Sequence, residues 1–158
     1  MKLSGQLFIF TIEGQRFGLD LEVVQRIERA AEITKVPESP ALISGIIDYH
    51  GKIVPVFDLR KKLKLPDKEL SAEMRFLLIR TESKHLIIVA DVVEGVINVP
   101  AEVIMPGTEI DKDLIQAAIV RLADGVIFIY DVEKFLSAEE ETELKKVLGN
   151  YKRQSPSP

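Results

Sequence analysis

Apolar residues fall along this chain in short runs punctuated by turn residues, not in long helical stripes. Leu7-Phe8-Ile9-Phe10-Thr11-Ile12 predicts a strand, Glu13-Gly14-Gln15 a turn, and residues 16–19 a returning strand. Asp20 is placed to cap a short helix over residues 21–28, with Val23, Val24 and Ile27 as a narrow apolar face. Residues 31–36 read as a third strand, stopped by Pro37 because proline cannot donate to a ladder. After a turn over residues 39–43, Ile46, Ile47 and Tyr49 lead into a hairpin. His50-Gly51 makes its two-residue turn, residues 53–57 return, and Asp58 caps a helical segment over residues 59–63.

The same phrase then occurs again. GIIDYHGKIVPVFDLRKKL at residues 45–63 superposes without a gap on AIVRLADGVIFIYDVEKFL at residues 118–136. Ile46 falls on Ile119, Ile53 on Val126, Val56 on Ile129, Phe57 on Tyr130, Asp58 on Asp131 and Leu63 on Leu136. The polar stretch 65–74 reads as a loop between two halves. Beyond it the pattern restarts with a strand over 75–81, a turn at Glu82-Ser83-Lys84 and a strand over 85–89. Asp91-Val92-Val93-Glu94 echoes the region after Asp20, residues 96–99 form a strand stopped by Pro100, and residues 101–113 are irregular. Ser137-Ala138-Glu139-Glu140 fits a capping box. Leu144, Val147, Leu148 and Tyr151 form one apolar stripe, Glu141 can pair with Lys145, and residues 150–158 read as a tail. The fold expected is mainly β: two small five-stranded SH3-like barrels around a shared hydrophobic core, with short helices and a C-terminal helix. Within one domain over residues 1–149, the barrels would span about 6–65 and 75–136, and the helix about 137–149.

Composition narrows the function. The 158 residues are 46% hydrophobic and 29% charged, which is globular. The net charge of −4 argues against a nucleic-acid backbone as partner, and so do an absence of Trp and only 3 Tyr. Without cysteine there is no disulfide, thiol chemistry or Cys-ligated zinc. No span reaches transmembrane length, so direct membrane insertion is not expected and a cytoplasmic setting is. His50 and His85, the only histidines, lack the spacing of a metal site. Asp20, Asp58, Asp91 and Asp131 sit at strand ends and are expected to cap turns, not to act as acid–base pairs. Arg60-Lys61-Lys62 reads as a solvated helix face. Neither catalytic residues nor a cofactor emerge, and partner binding is left as the default function.

The hairpin resembles the signature segment of CheW-like chemotaxis coupling proteins, in which Asn-Leu-Arg-Gly precedes a β-branched run into Pro-Val-x-Asp-Leu. Further anchors are Phe17-Gly18-Leu19-Asp20 with Val23-Val24-Gln25, Ile33-Thr34-Lys35-Val36-Pro37, Val89-Ala90-Asp91-Val92-Val93, Ile104-Met105-Pro106 and residues 131–136, so the resemblance covers about residues 6–148. It implies an adaptor without catalysis that joins the cytoplasmic tip of methyl-accepting chemoreceptors to the regulatory domain of a CheA-type histidine kinase. A related motility or pilus pathway is the alternative, and a small-molecule or nucleic-acid-binding barrel the remote one. By the same resemblance, Val24, Arg26 and Ile27 lie on the kinase side, and Gly45, His50 and Gly51 by the receptor groove. Relatives usually carry Glu where this chain has Arg26, and Arg where it has His50; many have Gly at Ile87 and at Ala118. The first change reverses a charge, and the second replaces a five-donor fork with an imidazole.

Overall fold

The computed structural model describes residues 3–106 and 116–154. The chain runs through β1 (Gln6–Ile12), β2 (Gln15–Asp20), β3 (Val24–Arg29), β4 (Ile43–Tyr49), β5 (Lys52–Phe57) and the short helix α1 (Leu59–Lys62). It continues through β6 (Arg75–Arg80), β7 (His85–Ala90), β8 (Val92–Asn98), β9 (Ile104–Pro106), β10 (Gln116–Leu122) and β11 (Gly125–Tyr130), and ends in α2 (Ala138–Gln154). One sheet has six strands in the order β8-β1-β2-β11-β10-β9; the other has five, in the order β3-β6-β7-β5-β4. The mainly β architecture with short helices and a C-terminal helix is the one expected.

The sheets do not follow the halves of the sequence. The first hairpin, β1–β2, sits among strands of the second half, and β6–β7 sits among strands of the first. Two parallel contacts make the joins: Phe17 and Gly18 opposite Phe128 and Ile129, and Val56 and Phe57 opposite Ile87 and Ile88. The halves therefore exchange their leading hairpins, and the division at 6–65 and 75–136 cuts across both sheets. Five strands of each sheet follow the same plan, third strand, leading hairpin, then the repeated hairpin in reverse; β9, paired on the outer edge of β10, makes the first sheet six-stranded where five strands were expected.

This exchange explains the continuous apolar runs. Along β1, Leu7 and Ile9 point into one barrel with Val120, Ile127 and Ile129, while Phe8, Phe10 and Ile12 point into the seam between the sheets. Along β6, Phe76 and Leu78 fill the other barrel with Val54, Val56 and Ile87, while Leu77 and Ile79 face the seam. Strands buried on both faces need apolar residues at every position, not at alternate ones. The seam core also holds Phe57 stacked on Phe135 with ring centroids 4.7 Å apart, and Leu144 from α2.

Local chemistry places the turns as expected. Asp58 accepts from the Lys61 amide at 2.9 Å and Asp131 from the Glu133 amide at 3.1 Å. The capping box at α2 is reciprocal: the Ser137 amide donates to Glu140 at 3.0 Å, and the Glu140 amide to Ser137 Oγ at 3.1 Å.

Several expectations are corrected. Only Leu21–Val23 wind into a turn, capped by Asp20; Val24 to Arg29 extend as β3 because the outer edge of β6 offers a ladder. Residues 31–36 form no strand, and Thr34 alone bridges Ile46. The strand placed at 96–99 begins earlier, as β8, and 101–113 contains β9, while residues 107–115 lie outside the described residues. Helix α2 runs past 149 to Gln154, so the tail is shorter; the Tyr151 side chain is outside the described residues. Glu141 pairs with Lys84, not Lys145.

Arg60 is the largest departure. It is not a solvated residue: its side chain is only 11% exposed and ion-paired with Asp91 and Glu13, clasping α1 to the β1–β2 turn. Asp91 is thus a charge partner, and the turn amide it accepts from, that of Glu13 at 2.9 Å, belongs to the distant β1–β2 turn and not to its own neighbourhood. Desolvation works to raise the Asp91 carboxyl, but the bonds from Arg60 and from the Glu13 amide outweigh it and hold it below its usual value.

Candidate functional site

The repeated hairpin is built tightly. Tyr49 pairs with Lys52 across the turn, and His50 and Gly51 have φ of 52° and 83°, the positive values that a type I′ turn requires. The Gly51 amide donates to Asp48 Oδ1 at 2.9 Å, which holds the tip closed. His50 and Gly51 are exposed there.

Gly45, at the base of the same hairpin, is buried. A Cβ at this position would lie 2.3 Å from the Thr34 carbonyl oxygen and 2.6 Å from Ile33 Cγ2. The segment around Thr34 crosses β4 here, exchanging backbone bonds with Ile46 at 2.8 and 3.0 Å. Gly45 is therefore needed for a close backbone crossing, and it sits apart from the exposed tip.

Val24, Arg26 and Ile27 lie on β3, an edge strand of the five-stranded sheet. A register shift between Val24 and Arg26 re-aims the strand. Val24 is half-buried against the seam, whereas Ile27 is 44% exposed on the open edge. Arg26 points outward and pairs with Glu28, Nε to Oε1 at 3.3 Å.

β3 and β4 are opposite edges of that sheet, yet its curl brings them into contact. The Tyr49 hydroxyl donates to the same Glu28 oxygen at 2.9 Å. The Arg26 guanidinium carbon lies 5.9 Å from the Tyr49 ring centroid, and the His50 ring meets Tyr49 edge-on at 4.4 Å. Burial pushes the Tyr49 phenol up, and the bond to Glu28 adds to this, against the Arg26 charge. The structure thus brings Arg26 and His50 to one surface and leaves Gly45 beneath it. Glu28 and Tyr49 are the residues that reading the sequence missed. The one signal was Tyr49, which stands where the family motif has Leu.

Behind the tip, Lys52, Ile53 and Pro55 form one wall of an apolar cleft of about 220 Å³, with Leu144 and Leu148 of α2 on the other side. His85 lines it, with Nε2 buried and unpartnered. Burial pushes the His85 imidazole down, and the charges of Lys52 and Arg80 act in the same direction. No group of His, Asp and Glu suited to a metal ion occurs among the described residues.

Comparison with known proteins agrees with this architecture. The chain is 30% identical over 147 residues to the chemotaxis protein CheW of Klebsiella aerogenes, covering 88% of this chain and 89% of that protein. It is 28% identical over 142 residues to the chemotaxis protein CheW of Bacillus subtilis, covering 88% and 91%. The crystal structure of the scaffolding protein TtCheW from Thermoanaerobacter tengcongensis superposes with a TM-score of 0.78 at 25% identity, over 89% of this chain and 92% of that one. The family model described as "CheW-like domain" matches residues 6–140, and with its matching fold the chain belongs to that family.

Proposed function

We propose that this chain is a CheW-type chemotaxis scaffold, a non-catalytic cytoplasmic adaptor between the tips of chemoreceptors and the regulatory domain of a CheA-type histidine kinase. The observation that carries the reading is the family match over residues 6–140, across both sheets. Val24, Arg26 and Ile27 form the kinase side. An exposed edge strand bearing a large apolar residue is a surface that a second sheet can extend. His50 and Gly51 form the receptor side at the hairpin tip, beside the apolar cleft, with Gly45 holding the hairpin base in place.

Arg26 selects the kinase. Like charges facing each other across an interface exclude a partner, and opposite charges speed its encounter. A kinase domain that offers a cation to the family glutamate meets a cation here, so the cognate kinase presents an acidic residue to β3.

Calorimetric titration of a standard CheA-type regulatory domain against wild type and Arg26→Glu tests this. The variant is expected to bind more tightly at low salt, with the difference shrinking as salt screens the charges. Equal affinities at low salt would remove Arg26 from the kinase surface. Capture on the full-length chain from its native cytoplasm tests the wider reading, which requires recovery of both a histidine kinase and a chemoreceptor.

A further inference from the structure

Arg26 and His50 stand on different strands, yet one side chain lies between them. Tyr49 touches both: its ring carries the Arg26 guanidinium at 5.9 Å and the His50 ring at 4.4 Å. Its hydroxyl shares a single carboxylate oxygen with Arg26, since Glu28 Oε1 accepts from Tyr49 at 2.9 Å and from Arg26 Nε at 3.3 Å.

We propose that Tyr49 couples the two partner surfaces, so that docking at β3 prepares the hairpin tip for the second partner and the reverse. This rests on the assignment of β3 and the hairpin tip to different partners. The mechanism follows from the shared oxygen. An acidic group on the first partner draws Arg26 away from Glu28, and Oε1 is left to Tyr49 alone. A carboxylate with one donor fewer binds the remaining donor more strongly, because charge-assisted hydrogen bonds gain from an undivided acceptor. The Tyr49 ring is then held more firmly, and His50, which rests on it, loses freedom before its own partner arrives. Ordering achieved in advance lowers the entropy lost in the second binding step.

Linkage makes the effect reciprocal: each partner raises the affinity of the other by the same factor. One shared contact near the surface belongs at the lower end of measured couplings, roughly fivefold. Glu28 side-chain exposure of 35% and Arg26 exposure of 59% leave the contact open to a partner while keeping it from full solvation.

The test measures affinity for the kinase regulatory domain with and without a saturating receptor-tip fragment, in wild type and in Tyr49→Phe. Phenylalanine keeps the ring for Arg26 and His50 and removes only the hydroxyl. Wild type should show a roughly fivefold gain on adding the second partner. In Tyr49→Phe the gain, taken as the ratio of that variant's own affinities with and without the second partner, should vanish, whatever its binary affinities are. No gain in wild type, or an undiminished gain in Tyr49→Phe, overturns the coupling. Absence of binary binding by either partner would instead overturn the proposed function, and a partner-free measurement then decides the coupling. Arg26→Gln should move the His50 ring resonances in the otherwise wild-type protein, and should leave them unmoved when Tyr49→Phe is also present. His50 resonances indifferent to Arg26→Gln, or equally displaced in both backgrounds, refute the relay.

Discussion

Gly45→Ala measures the backbone crossing at the hairpin base. The new methyl would stand 2.3 Å from the Thr34 oxygen, 2.9 Å from the Thr34 carbonyl carbon and 2.6 Å from Ile33 Cγ2. Two of these atoms are backbone, so no rotamer change relieves the clash, and the crossing segment must lift. Overpacking of this kind costs about 1–3 kcal/mol. Lifting also strains the Thr34 and Ile46 amide bonds, now 3.0 and 2.8 Å long, each contributing about 0.5–1.5 kcal/mol. The expected loss is therefore about 2–6 kcal/mol, a large share of the 5–15 kcal/mol, roughly, that a domain of this size possesses. Urea unfolding followed by circular dichroism gives the loss, and amide exchange at Thr34 and Ile46 locates it. Gly51→Ala is the control: nothing lies within 4 Å of its Cβ, and only the φ of 83° resists substitution, costing roughly 1–2 kcal/mol. A Gly45→Ala protein as stable as wild type, with both amides still protected, would refute the steric argument.

Because the leading hairpins are exchanged between sheets, an isolated 75–154 fragment should lack a cooperative melt, and mixing it with a 1–74 fragment should restore one; a sharp melt of either alone would contradict the exchange. Arg60→Ala strands the largely buried Asp91 and should cost about 3 kcal/mol, read by urea unfolding; a loss within surface-residue scatter would refute the clasp. The depressed Asp91 carboxyl contributes stability above its unfolded value of about 3.9, lost as pH falls through the folded value, and Arg60→Ala should weaken that acid dependence. The fold lowers the His85 imidazole below its ordinary value, so the unfolded chain takes up a proton first as pH falls. Stability should fall as pH drops below about 6.5 towards the lower folded value, and His85→Gln should flatten that slope in unfolding measurements between pH 7 and 5.

What could be read from the sequence was what neighbouring residues decide among themselves. His50-Gly51 announces a two-residue turn because few other pairs tolerate two successive positive φ values, and the turn is there. Asp58, Asp131 and the Ser137–Glu140 box satisfy amides within three residues of themselves, so spacing alone located them. The 19-residue repeat gave the plan of two similar units, whereas the reason for the continuous apolar runs, two buried faces on each leading strand, came only with the structure. Residues 21–28 misled, since Val23, Val24 and Ile27 suit a helix or an extended edge equally, and only β6, about fifty residues away, settles the choice. Which hairpin joins which sheet is likewise invisible locally, because the repeat makes own and exchanged partners look alike; packing of the whole chain selects between them. Burial of Arg60 depends on Asp91 and Glu13 arriving from other elements, and the meeting of Arg26 with His50 depends on the curl that carries β4 back to β3. The sequence by itself determined the hairpins, their turns and the caps at Asp58, Asp131 and Ser137, which are set by short-range bonding. The tertiary structure alone decided the exchanged sheets and the composite surface, because those are set by contacts between residues that the chain keeps far apart.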